Sequence, residues 1–212
     1  MEKRLNRAEN MKLAEATYMD VIWQAALLEG VVVTRAETAA ICEGRHENMD
    51  EETLLTITNL QHAWQTVFQT VDAPVDLKYI CAMNRAVSKN ESLAWGVLRN
   101  GRVGIGGTDY VPPIPEEQLV IEHLQAFAAH PGTPDNILNR MLWMMKAQLF
   151  WDGNRRTAMI VANKELIRNG YGILSVEPEK MARYNDTLSE YYSTGDMAVR
   201  HFLATECIRR RP

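Results

Sequence analysis

An all-α bundle is the fold class this sequence predicts, and three observations predict it. Apolar residues recur at helical spacing along most of the chain. Capping residues stand just ahead of these runs. Glycine and proline concentrate in one segment, residues 95–115, and elsewhere fall mainly between the runs. The chain has 212 residues, 46% of them hydrophobic, enough for one core, so one domain is expected.

The elements follow in order. Leu13, Tyr18, Met19, Ile22, Trp23 and Ala26 place a helix over residues 6–28, closed at Glu29-Gly30. This N-terminal helix, residues 1–30, is expected to pack on a domain formed by residues 31–212. Thr34 with Glu37 is a capping box for a second helix ending at Glu43-Gly44. Residues 45–52 read as a loop, and a helix follows to Val71 with Leu54, Ile57, Leu60, Trp64 and Phe68 on one face. Asp76 caps a helix through Ile80, Met83 and Val87. Asn100-Gly101 between residues 97–99 and 102–105 is a hairpin signal. Helices are then expected over residues 115–130, from an Asp135 cap to Phe150, from Arg155 to Asn169-Gly170, over residues 177–192 and over 196–209. Met141, Trp143, Met144 and Met145 read as a buried helix face.

A net charge of -4 lacks the basic footprint that nucleic-acid binding needs, so a nucleic-acid partner is not expected. Cys42, Cys81 and Cys207 have no paired spacing and read as reduced thiols. No apolar run reaches the ~18–20 residues of a membrane span. The charged N-terminus lacks the pattern of a signal peptide. A cytoplasmic protein is the expectation.

The segment that carries chemistry runs from Gln148 to Ala158: a helix end, a glycine-bearing turn, and a new helix. The start of that helix exposes unpaired N–H groups and the positive end of a dipole, an anion site. Asn154 adds a donor, and Arg155 and Arg156 add cations suited to phosphate. Asp152 is a carboxylate placed for Mg²⁺. The same residues are also ordinary turn chemistry followed by a solvated helix face.

The stretch Phe150, Asp152, Gly153, Asn154, Arg156 resembles the Fic family motif H-P-F-x-(D/E)-G-N-G-R-x-x-R in register. Upstream, Gly96-Val97-Leu98-Arg99 with Val103-Gly104-Ile105-Gly106-Gly107 and Tyr110-Val111-Pro112-Pro113 resembles the family's flap. Residues 164–171 and 184–192 look like its closing helices. The resemblance spans roughly residues 30–210 and implies a Fic-like helical bundle with a short β-hairpin flap. It implies ATP and Mg²⁺ as cofactors and transfer of AMP to Ser, Thr or Tyr hydroxyls of a protein. Asp152 would hold the metal, and Gly153, Asn154, Arg155 and Arg156 the phosphates. Val103, Gly104, Ile105, Gly106 and Gly107 would dock the target peptide by strand addition.

The chain departs from the motif at Gln148, where the family has the histidine that serves as general base. An amide cannot take the proton, and loss of such a base costs ~10²–10⁴-fold in rate. His46, His62, His123, His130 and His201 are distant in sequence. Met159 replaces the last motif arginine. Arg155 replaces the second motif glycine and resembles the lysine of Doc-type members, which transfer the γ-phosphate. Glu43-Gly44 resembles the family's inhibitory helix, whose glutamate pairs with the last motif arginine, replaced here by Met159, and also reads as a helix end with a glycine cap. Tyr184 is placed by the resemblance near the adenine, with helix packing as the other reading. A weakly active or inactive ATP-binding protein, a flap-based protein-binding module and a Doc-like phosphotransferase all remain open.

Overall fold

A computed structural model describes residues 4–45 and 49–211. His46 and part of the expected loop over residues 45–52 lie outside the described residues, as do residues 1–3 of the N-terminal segment. The helices are α1 (Arg7–Leu28), α2 (Arg35–Cys42), α3 (Glu51–Thr70), α4 (Leu77–Ser88), α5 (Glu117–Ala128), α6 (Pro134–Ala147), α7 (Asn154–Asn169), α8 (Met181–Thr194) and α9 (Ala198–Phe202). One two-stranded antiparallel sheet pairs β1 (Ile173–Leu174) with β2 (Ile208–Arg209), with Ile173 opposite Arg209 and Leu174 opposite Ile208. The fold is an all-α bundle.

Local capping sets most of the helix starts. Asn6 with Glu9 and Thr34 with Glu37 form complete capping boxes. Asp50 and Asp76 accept from the third N–H of α3 and α4. Thr133 rather than Asp135 caps α6, with Pro134 in the first turn, where its missing N–H costs nothing.

Helix α7 is the centre of the bundle. It packs against α6, α4, α1 and α3, and almost every residue from Arg156 to Ile167 is buried. A helix buried all round must satisfy its polar side chains internally. Asn163 does so by donating to the Leu174 carbonyl (2.9 Å) and accepting from its N–H (2.8 Å). Lys164 is fully buried, donates to the Ala73 carbonyl and lies over the Tyr79 ring. Helix α1 forms one wall of the same core, against α2, α3 and α7.

Both ends of the described chain reach the strip that follows α7. The Leu5 N–H donates to the Gly170 carbonyl (3.0 Å), and Arg4 Nε donates to the Asn169 carbonyl (3.0 Å). Gly170 is left-handed (φ 71°), and a Cβ there would lie 2.0 Å from the Leu5 carbonyl oxygen. At the other end β2 pairs with β1, and Arg210 Nε donates to the Tyr171 carbonyl (3.2 Å).

Three expected elements differ. Helix α6 stops at Ala147 instead of Phe150, because Gln148 turns left-handed (φ 45°, ψ 62°). The last helix leaves α geometry after Phe202, continues as one π-helical turn over Leu203–Cys207, and then extends so that residues 208–209 can join the sheet. The hairpin expected at residues 97–105 is not a paired hairpin. Neither Asn100 nor Gly101 takes the positive φ that a tight I′ turn requires, and no backbone hydrogen bond joins the two arms among the described residues. The Arg99 N–H instead donates to the Leu149 carbonyl (3.0 Å).

Burial, reinforced by Arg168 and Arg140, lowers the Lys164 pKa to about 8. The unfolded value is ~10.4, so between these limits the unfolded chain holds more protons and stability rises with pH. Lys164→Met should remove this rise. Urea unfolding of both proteins from pH 8 to pH 10 tests it, and parallel pH slopes would refute it.

Candidate active site

The site is built where three chain segments meet: the loop between α6 and α7, the end of α4, and the end of α1. The loop begins at Gln148. Its Nε2 donates to the Met145 carbonyl (2.7 Å), and its Oε1 accepts from Asn154 Nδ2 (3.1 Å). Asn154 braces the loop further by accepting from the Phe150 N–H (2.9 Å) and donating to the Phe150 carbonyl (2.8 Å). Leu149 and Phe150 are buried beneath it.

Gly153 makes the turn into α7 with φ 68°, and a Cβ there would sit 2.0 Å from Ser88 Oγ. Helix α4 grips the same turn. Asn84 Nδ2 donates to the Asp152 carbonyl (2.9 Å), and so does Ser88 Oγ (3.2 Å). Asn84 Oδ1 accepts from the Gly96 N–H (2.9 Å), which ties the segment after α4 to the same brace. Among the described residues no side chain caps α7, which leaves the N–H groups of its first turn open.

The two arginines are neutralised within the fold. Arg156 is buried; its guanidinium meets Glu91 and Asp152 (3.1 Å), with Glu29 3.8 Å from Nε. Burial works to lower its pKa, yet these three carboxylates hold it above the ordinary arginine value. Its Nε is buried and makes no hydrogen bond among the described residues. Arg155 Nε donates to Glu29 (2.8 Å), and Arg155 also donates to the Leu28 carbonyl. The Asp152 side chain is 44% exposed and faces a cleft of about 540 Å³ shared with Glu29, Glu51, Glu52, Glu91 and Arg156. The cleft is therefore strongly acidic.

Arg99 is a site residue that the sequence did not single out. It is buried, and its guanidinium donates to the carbonyls of Gln148, Gly101 (2.6 Å) and Pro113 (2.6 Å). One side chain thus holds the start of the motif loop and both ends of the 101–113 segment. Burial lowers its pKa. Within that segment Gly104, Gly106 and Gly107 have open space where a Cβ would lie, Ile105 packs on the core, and Val103 is half-buried.

Other expected residues fall as follows. Glu43 pairs with Arg45 on the surface. The carboxylates that meet the motif arginines are Glu29, Glu91 and Asp152. In the sequence the inhibitory resemblance falls on Glu43 alone, whereas Glu29, which ends α1 in the same Glu-Gly dipeptide, is the one that reaches the motif arginines. Tyr184 takes the packing role: it is fully buried, with its hydroxyl toward Met145 Sδ (3.8 Å), and burial pushes its pKa up. Met159 is buried in the core. His123 stacks on Trp143 at 5.0 Å. No helix among the described residues is long and apolar enough to cross a membrane.

Comparison with known proteins adds to this geometry. Residues 74–166 match the model of the Fic/DOC family, a stretch that covers α4, the 96–116 segment, α5, α6 and most of α7. A protein adenylyltransferase Fic of Aedes aegypti is 27% identical over 220 residues, covering 95% of this chain and 43% of the relative. One of Drosophila virilis is 24% identical over 180 residues, covering 79% of this chain and 36% of the relative. The chain thus spans less than half the length of these curated relatives. Among solved structures, Fic-1 of C. elegans aligns with a TM-score of 0.74 at 19% identity, over 91% of this chain and 61% of that one. A Fic domain containing signaling protein of Bacteroides thetaiotaomicron aligns with a TM-score of 0.71 at 17% identity, over 95% and 81%. These structural likenesses establish a shared fold, and residues 74–166, which include the motif loop, match the Fic/DOC family model.

Proposed function

We propose that this chain binds ATP with Mg²⁺ at the α6–α7 loop and that its transfer of AMP to Ser, Thr or Tyr hydroxyls of a protein target is slow or lost. The observation that carries this reading is the environment of Gln148. Its amide is engaged at both ends inside the loop, by Met145 and Asn154, and no histidine lies in its place. On this reading the open first turn of α7 receives the phosphates, while position 148 offers no proton acceptor.

The donor set fits the metal. Mg²⁺ is commonly held by one or two carboxylates together with substrate phosphates, and Asp152 is a half-exposed carboxylate beside the open N-terminus of α7. When bound, the ion supplies positive charge to the phosphates. The chain's own residues do the rest. The first-turn amides of α7 receive the anion, Arg156 and Arg155 turn from their carboxylates toward it, and Asn154 keeps the loop in shape. Glu29, rather than Glu43, is the carboxylate that competes with phosphate for these arginines.

The test is label transfer from ATP tagged on the α- or the γ-phosphate, with wild type and Gln148→His incubated with a cell lysate. Histidine tolerates the left-handed backbone of position 148 better than most residues. The expected result is α-label transfer at least ~10²-fold faster for Gln148→His than for wild type. Equal rates would refute the reading, and transfer of the γ-label alone would assign the Doc-like reaction instead.

A second reading is favoured by the 103–107 segment. The backbone groups of Val103 and Gly104 make no hydrogen bond among the described residues, which leaves them available for strand addition. A non-catalytic protein-binding role predicts capture of a partner that Ile105→Pro abolishes and Gln148→His leaves intact. Pull-down with the three proteins separates this from the first reading.

A further inference from the structure

A second cavity lies at the far end of the bundle from the motif loop. Helix α4 runs from Leu77, which lines this cavity, to Ser88, which touches Asp152. Helix α7 runs from Asn154 at the motif to Asn169 at the cavity, a separation of ~24 Å for its length. The cavity holds about 620 Å³, within the size range of small-molecule sites. One wall is α5, whose buried residues are only Val120 and Leu124. Leu124, Phe127, Ile137 and Val75 form the apolar part of its lining, and Gln125, His130, Asn136 and Asn169 the uncharged polar part.

Its charges are not balanced. Glu165 is held by Arg140 in a buried ion pair, and Asp76 is engaged as the cap of α4, accepting from the Tyr79 N–H (2.8 Å). Lys78 and Arg168, both exposed at the rim, pair with no carboxylate among the described residues. Arg168 also adds to the repulsion felt by buried Lys164. The motif cleft has the opposite character, with five carboxylates, Glu29, Glu51, Glu52, Glu91 and Asp152, against Arg156. In a chain of net charge -4 this end carries a local excess of cations, which favours an anionic ligand.

We propose that the cavity under α5 binds a small aliphatic or aromatic monocarboxylate, with its apolar body against Leu124, Phe127 and Ile137 and its carboxylate between Lys78 and Arg168. Apolar side chains beside the rim cations favour a hydrocarbon-bearing anion over a fully hydrated one such as phosphate. Two rim cations and an apolar floor match one charged head on a hydrocarbon body. The site is independent of nucleotide binding at the motif loop.

Octanoate is the probe, with octanol as its uncharged counterpart, titrated into the full chain by calorimetry. Lys78→Glu/Arg168→Glu reverses the rim, and both positions are exposed, so the fold is retained and circular dichroism verifies it. Ala128→Trp, at the exposed end of α5, fills the cavity. Octanoate is expected to bind wild type, to weaken about tenfold on charge reversal and to be lost in Ala128→Trp, while octanol binds more weakly than octanoate and ignores the reversal. The proposal is overturned if octanoate does not bind at millimolar concentration, if octanol binds as tightly, or if octanoate is indifferent to both variants.

Discussion

Gly153→Ala should destabilise the protein by about 3 kcal/mol. Two costs add. A left-handed backbone is unfavourable for alanine by ~1–2 kcal/mol. The new methyl would lie 2.0 Å from Ser88 Oγ and 3.1 Å from Val87 Cγ1, and such overpacking costs ~1–3 kcal/mol. Ser88 is fully buried and can move away only by giving up its bond to the Asp152 carbonyl, so the motif turn shifts with it. The contact can be isolated. In a Ser88→Ala background the penalty of Gly153→Ala should shrink by at least about 1 kcal/mol, because the clash is gone and the backbone cost remains. Urea denaturation of the four proteins measures this, and an unchanged penalty would show that the two residues do not oppose each other.

Freeing Arg156 should have the largest effect on nucleotide binding. Its guanidinium is shared among Glu91, Asp152 and Glu29, which occupy the directions from which phosphate oxygens would approach. Glu91→Gln and Glu29→Gln keep the shape and remove the competing charge, and each is expected to tighten ATP·Mg²⁺ binding by about tenfold. A general reduction of negative charge in the cleft would also favour ATP. Glu52→Gln is the control: it lines the same cleft, pairs with no arginine among the described residues, and should change affinity far less. Calorimetry or a fluorescent ATP analogue gives the three affinities. If Glu52→Gln matches Glu91→Gln, the effect is bulk electrostatics; if none tightens binding, Arg156 is not a phosphate ligand.

Local signals were legible in the sequence and long-range ones were not. Asn6, Thr34, Asp50 and Asp76 start helices through contacts within one turn, so their effect is written in adjacent residues. The turn at residues 151–154 is equally local. Glu29 reaches Arg155 across 126 positions and Glu91 reaches Arg156 across 65, and no periodicity encodes such meetings. Asn100-Gly101 failed as a hairpin signal for the same reason. Arg99 draws the chain onto the motif loop, and Gly101 lies against Trp151, where an added Cβ would come within 2.5 Å of the ring. Tertiary packing there overrides a turn preference worth little by itself. The choice between Glu29 and Glu43 required knowing which helix end faces α7.

The convergence of both chain ends on residues 169–174 has a mechanical consequence. Leu5 and β2 grip the same short strip from two sides, and that strip continues directly from the central helix. A pulling force applied between the two ends is resisted first at this strip, and α5 and the 97–113 segment lie outside the direct load path. Single-molecule extension would therefore meet its main resistance early, when the strip parts, and the motif loop would lose its support as α7 is drawn out behind it.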